Sequence, residues 1–104
     1  MIEIKRDETN TLQVGQEAYI ALKQHLSVGI KSIAKSNDES IIEIIKTRFS
    51  YNNPILPRKK GGDAGQRVFI FKAHKTGSTA ITVKKIFRGQ LQEEYCIKVI
   101  VKNN

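Results

Sequence analysis

The stretch Arg67–Ala73, RVFIFKA, with HKTGS at 74–78 and TAITVKKI at 79–86 behind it, decides how this chain folds. In the first segment Phe69, Phe71 and Ala73 fall on one side, and in the third Ile81 and Val83 do. Period-two alternation in aromatic and β-branched residues is the mark of a half-buried strand, and Gly77 centres a turn between the two. Outward from there the pattern recurs. YCIKVIVK (95–102) puts Ile97, Val99 and Val101 on one face, and EAYIALK (17–23) does so with Ala18, Ile20 and Leu22. Ile2–Lys5 alternates as well, Asp7–Asn10 reads as a turn, and Thr11–Val14 is extended up to the break at Gly15.

Between these segments lie connections. QHLSVGIKS (24–32) reads as a loop leading into a short strand that runs through Ile33, SNDES (36–40) as a turn, and FRGQLQEE (87–94) as a charged loop. IIEIIKTRFSY (41–51) fits two templates. Ile41, Ile44, Ile45 and Phe49 make a helical stripe, whereas the β-branched content makes a strand. Strand is preferred because every neighbouring segment is extended. Residues 52–66, NNPILPRKKGGDAGQ, hold both prolines and three of the seven glycines. A loop of that length in a short chain is functional or disordered. The expectation is a single all-β domain over residues 1–104, a sandwich or barrel of seven or eight mostly antiparallel strands.

Composition narrows function. With 104 residues there is room for one modest core, and no Trp to build it from. One cysteine, Cys96, excludes an internal disulfide and a cysteine-based zinc site; within its strand pattern it reads as a buried, inert thiol. His25 and His74 have no partner at metal-ligand spacing, so no metal or other cofactor is expected. No nucleophile elbow, phosphate-binding loop or paired carboxylate stands out, which argues against an enzyme. No stretch approaches the roughly 20 apolar residues of a membrane span. MIEIKRDETN lacks the basic start and apolar run of a secretory signal, so the expected setting is the cytoplasm or the lumen of lysosome-like vesicles. Eighteen Lys and Arg against ten Asp and Glu give +8. That excess fits a surface for nucleic acid, a membrane or an acidic protein, and equally a Lys-rich proteome bias, because the positives are scattered. A nucleic-acid-binding β-domain, with Arg58, Lys59 and Lys60 as its cluster, is the alternative function. RVFIFKA resembles the aromatic strand of RNA-recognition modules weakly, without the glycine that motif needs.

Three glycine-bearing loops remain: HLSVGI (25–30), GDAGQ (62–66) and KKIFRG (84–89). On an immunoglobulin-like sandwich, connections in those positions emerge at one shared end. Here the chain resembles the chagasin family, proteinaceous inhibitors of papain-like cysteine proteases, along nearly its whole length. VGQEAYIAL (14–22) is similar to the strand leading into that family's first loop, GDAGQRVFIFKAHKTGSTAITV (62–83) to its second loop and following strands, and YCIKVIVKNN (95–104) to its last strand. The departures are plain. Gly29 and an apolar Ile30 survive from the first motif, with Ser27 and Val28 in place of threonines and Ser32 in place of a Trp. Ala64 replaces a glycine of the second motif. Ile86, Phe87 and Arg88 stand where the third has Arg-Pro-Trp. The Lys, Ile and Asn bias suits an amoebal, amoebiasin-like member.

The resemblance implies an immunoglobulin-like β-sandwich that reversibly and competitively occludes a protease cleft, monomeric when free, with no membrane partner. It implies a contact surface of His25, Leu26, Ser27, Val28, Gly29 and Ile30, then Gly62, Asp63, Ala64, Gly65 and Gln66, then Ile86, Phe87 and Arg88. The first loop would sit over the catalytic Cys–His pair of the protease. A small hydroxyl, a stiff side chain and a tight turn suit a narrow wedge there.

Overall fold

In a computed structural model, residues 1–25, 29–51 and 64–103 are described, with the backbone alone at 24, 25, 50, 51 and 64. The described residues form eight strands and no helix: β1 (Ile2–Glu3), β2 (Asn10–Gln13), β3 (Glu17–His25), β4 (Ile30–Ser36), β5 (Ile42–Tyr51), β6 (Ala64–Ala73), β7 (Gly77–Phe87) and β8 (Gln90–Lys102). One layer is ordered β2-β8-β7-β4 and the other β3-β6-β5, with β1 added to β3. Among the described residues the two layers are joined in strand pairing by His25 with Ile30. β1 on β3 and β2 on β8 are parallel; the remaining pairings are antiparallel. This is the expected all-β, immunoglobulin-like sandwich.

Alternation supplies the glue between the layers. Ala18, Ile20, Ile42, Phe69, Phe71 and Ala73 face inward from one sheet, and Leu12, Ala34, Ile81, Val83, Ile97, Val99 and Val101 from the other, in one buried cluster. Fully burying a side chain of Leu, Ile, Val or Phe size stabilises by about 1.5–3 kcal/mol, so this one layer dominates the stability of the domain. A one-residue slip in any of these strands would expose its whole apolar set. Polar groups that enter the core are satisfied. Asn10 accepts from the Lys5 backbone amide at 2.8 Å through Oδ1 and donates through Nδ2 to the Lys5 and Glu8 carbonyls, closing the β1–β2 connection. Ser36 Oγ donates to the Ile42 carbonyl at 2.5 Å, fixing the β4–β5 turn.

Four readings of the sequence need correction. β4 runs on to Ser36 rather than ending at Ile33, because Ala34 and Ser36 continue the inward alternation. Residues 87–94 are not a loop: Arg88 and Gly89 alone turn the chain, with φ of +50° and +79°, and β8 starts at Gln90. Two positive φ values match the hairpin turn whose twist suits paired strands. The charges that looked like a loop are cross-strand pairs, Lys84 with Glu94 and Lys85 with Glu93. Residues 64–66 likewise lie within β6 and not in a loop. Finally, Cys96 is exposed. Ile97, Val99 and Val101 take the inward face of β8, so Cys96 must point out, where its Sγ lies 3.6 Å from Thr82 Oγ1. The ambiguous segment 41–51 is strand from Ile42 onward. A bulge between Ile44 and Lys46 shifts its register, so the residues facing β6's Ala73, Phe71, Phe69 and Arg67 are Ile42, Ile44, Thr47 and Phe49. That broken period is what imitates a helical stripe.

Candidate binding site

Strand register alone decides where the loops go. His25, the last residue of β3, pairs both with Ile30, the first of β4, and with Ala64, the first of β6. Tyr51, the last of β5, pairs with Gly65. Ile30 pairs in turn with Phe87, and Phe87 with Gln90. The stems of the β3–β4, β5–β6 and β7–β8 connections therefore emerge side by side at one end of the sandwich. β8, at 13 residues, spans about 44 Å at 3.4 Å per residue, close to the longest dimension of 48 Å. The strands follow the long axis, and the three stems crown a narrow end.

Of the anticipated contact residues, Leu26, Ser27, Val28, Gly62 and Asp63 lie outside the described residues. His25, Gly29, Ile30, Ala64, Gly65, Gln66, Ile86, Phe87 and Arg88 are all placed at or next to this end. Gly65 is buried between β3 and β5, whereas Gln66 is exposed. The first and third connections touch directly. The Arg88 amide donates to the Gly29 carbonyl at 2.9 Å. Gly29 adopts φ +83°, and a Cβ there would stand 2.9 Å from Arg88 Cγ and 3.3 Å from Arg88 N. Only glycine tolerates both the backbone angle and the approach. The Arg88 guanidinium in turn lies over the Phe87 ring, 5.1 Å from its centroid. Phe87 and Ile86 are half-buried, so neither is a fully presented anchor nor tucked wholly inside.

One surface residue was missed. Leu91 is 56% exposed and stands opposite Ile86, where the β7–β8 register shifts. It shares a face of the hairpin with Ile86, forming an apolar ridge below Arg88, while Phe87 turns to the opposite face. The available signal was an apolar residue between two glutamines in a run otherwise read as a solvated loop.

Beneath the ridge the stems are tied. Ser32, in place of the expected Trp, is buried and donates through Oγ to the Lys23 carbonyl at 2.6 Å, linking β3 to β4 where their pairing ends. A shallow cleft of about 260 Å³ opens beside it, lined by Leu22, Val83 and Tyr95 with Lys23, Lys85 and Glu93 at its rim. Arg6 closes one side, its guanidinium 3.7 Å from the Tyr95 ring centroid and 2.7 Å from Glu93 Oε2. Burial pushes the Tyr95 hydroxyl above the usual tyrosine range, against the pull of Arg6.

Among the described residues no group of three or more His, Cys, Asp or Glu side chains gathers. His74 sits on the strand-end at the other pole, 2.8 Å from Glu43. Phe69 and Phe71 are core residues, which removes the base-stacking strand that RVFIFKA weakly resembled.

No protein-family model matches the chain, and no curated protein matches it in sequence. Solved structures do match in shape. The cysteine protease inhibitor EhICP2 from Entamoeba histolytica superposes with a TM-score of 0.74 at 16% identity, over 97% of this chain and 93% of that one. PbICP-C, solved in complex with falcipain-2, gives 0.63 at 14%, over 100% and 95%. Domains 4 and 5 of the S-layer protein SbsC give 0.53 at 18%, over 94% of this chain and 50% of that one. Likeness at these identities establishes a shared fold.

Proposed function

We propose that this chain is a divergent member of the chagasin family and acts as a reversible, competitive inhibitor of papain-like cysteine proteases. The observation that carries the reading is the convergence of three connections at one narrow end, the first and third bonded through Arg88 and Gly29. Two of the structures that share the fold, EhICP2 and PbICP-C, are respectively named as a cysteine protease inhibitor and solved with falcipain-2. A groove between two protease lobes accepts a narrow end of this kind. The proposed wedge is the segment following His25, with the tip of the β7–β8 hairpin, Ile86, Phe87, Arg88 and Leu91, beside it.

Energetically the reading is sound. A protease–inhibitor interface buries roughly 1,600 Å² in all and can reach nanomolar affinity, about −12 kcal/mol. Stems held on paired strands lose little freedom on docking, so more of their contact energy survives as affinity. Aromatic and Arg side chains at the hairpin tip are the types enriched in binding hot spots.

Titration of papain with the purified chain tests the proposal. Competitive, reversible inhibition at sub-micromolar concentration is expected, and Val28→Asp should weaken it at least tenfold by forcing a charge out of water above the catalytic pair. No inhibition at micromolar concentration overturns the reading. Undiminished inhibition by the variant overturns the role of the first loop.

A further inference from the structure

Positive charge that is scattered along the sequence is gathered by the fold around the three-loop end. Lys23 pairs in register with Gln66, and Leu22 with Arg67, just below the junction of β3 and β6. Lys31 pairs with Ile86, and Arg48 with Val68, at the same height on their own strands. Arg88 occupies the turn itself. Lys84 stands opposite Glu94, and Lys85 opposite Glu93, whose carboxylate also holds Arg6 at 2.7 Å, so two carboxylates offset two of those three cations. The remaining described carboxylates belong elsewhere: to β1 and the connection after it, to the first residue of β3, and to the β4–β5 turn and the start of β5. The loop end is thus a collar of cations, while the far half is close to balanced.

Resting on the inhibitory reading, we infer that the partner is a papain-like protease whose cleft is rimmed by carboxylates, and that Lys23, Lys31, Arg48, Arg67 and Arg88 steer the loops onto it. The collar surrounds the surface that docks. Attraction therefore orients the inhibitor as well as drawing it in. Such focusing raises association rates by about 10- to 1,000-fold at low salt and fades once the screening length falls below the spacing of the charges, about 8 Å at physiological ionic strength. Its effect lies in the on-rate and in the choice among proteases, more than in the lifetime of the complex.

Association and dissociation rates against papain-like proteases with acidic and with basic cleft rims, from about 20 to about 300 mM NaCl, test the inference. For the acidic-rimmed enzyme the association rate should fall about tenfold or more over that range while dissociation stays level. For the basic-rimmed enzyme it should be slower and rise with salt. K23Q/K31Q/R48Q, checked for an unchanged unfolding midpoint, should flatten the salt dependence without altering dissociation. A salt-indifferent association rate, or a triple variant with the parent's slope, overturns the inference and leaves inhibition standing. Short DNA or RNA duplexes that displace the protease at low salt would show that the collar reads phosphate, which also overturns it. Absence of inhibition at every salt concentration removes the inhibitory reading itself, and this one with it.

Discussion

Replacing Gly29 and Gly89 by alanine, one at a time, measures whether the first and third connections are physically joined. Both glycines have positive φ, +83° and +79°. An L-residue in that region costs about 1–2 kcal/mol, partly offset by the alanine's smaller unfolded-state entropy, about 0.4–1 kcal/mol. Gly89 has nothing within 4 Å of its would-be Cβ, so G89A should destabilise by about 1 kcal/mol and no more. At Gly29 the same backbone cost is joined by a 2.9 Å approach to Arg88 Cγ and a 3.3 Å approach to Arg88 N. Arg88 must retreat, and its 2.9 Å bond to the Gly29 carbonyl stretches or breaks, adding about 1 kcal/mol. G29A should therefore cost about 2–3 kcal/mol. For a domain of this size each kcal/mol lowers Tm by roughly 4–8 °C, a difference that urea and thermal unfolding followed by circular dichroism resolve. Arg88→Gly removes the obstructing side chain and suits the +50° φ, so G29A/R88G should recover part of the loss. If G29A is no worse than G89A, or R88G recovers nothing, the two connections are not in contact and the joined edge is wrong.

Phe71, fully buried between the layers, should cost about 3–5 kcal/mol on truncation to alanine, read as a lowered denaturant midpoint; a loss under 1 kcal/mol would contradict the core assignment. Exposed Cys96 should react with a thiol reagent in the native protein as fast as in the unfolded one, whereas a buried thiol would wait for unfolding. Asp38 accepts bonds from Ser40 Oγ at 2.6 Å and Ser40 N at 3.0 Å, which hold its carboxyl below the usual carboxylate range. Its folded value being depressed, the stability it lends is complete above the ordinary aspartate value and is lost as pH falls through the folded one. A carbon-detected NMR titration should show this lowering shrink in Ser40→Ala.

Much of the fold was readable because strand alternation is local. Phe69, Phe71 and Ala73, or Ile97, Val99 and Val101, declare their buried face within a few residues, and one buried face per strand implies two layers. Turn chemistry was equally local at Gly29, read as part of a tight turn and found with a left-handed backbone. What misled were features whose meaning depends on a partner strand. Lys84, Lys85, Glu93 and Glu94 look like a solvated loop until β7 and β8 are paired, and the bulge after Ile44 breaks a period that a single-strand reading takes for a helix. Cys96 was misjudged for a simpler reason: its strand was right and its face was not.

The sequence by itself determined the class of the fold, the buried set and the order of three glycine-bearing connections, because each follows from side-chain spacing along one strand. That those connections share an end was expected of such a sandwich and is seen in the register, but only the tertiary structure decided that Arg88 closes onto Gly29, that Leu91 is exposed beside Ile86, and that dispersed lysines and arginines become a collar. Those are relations between residues far apart in the chain. They depend on register, and register is set by the competition of all strands for a single core.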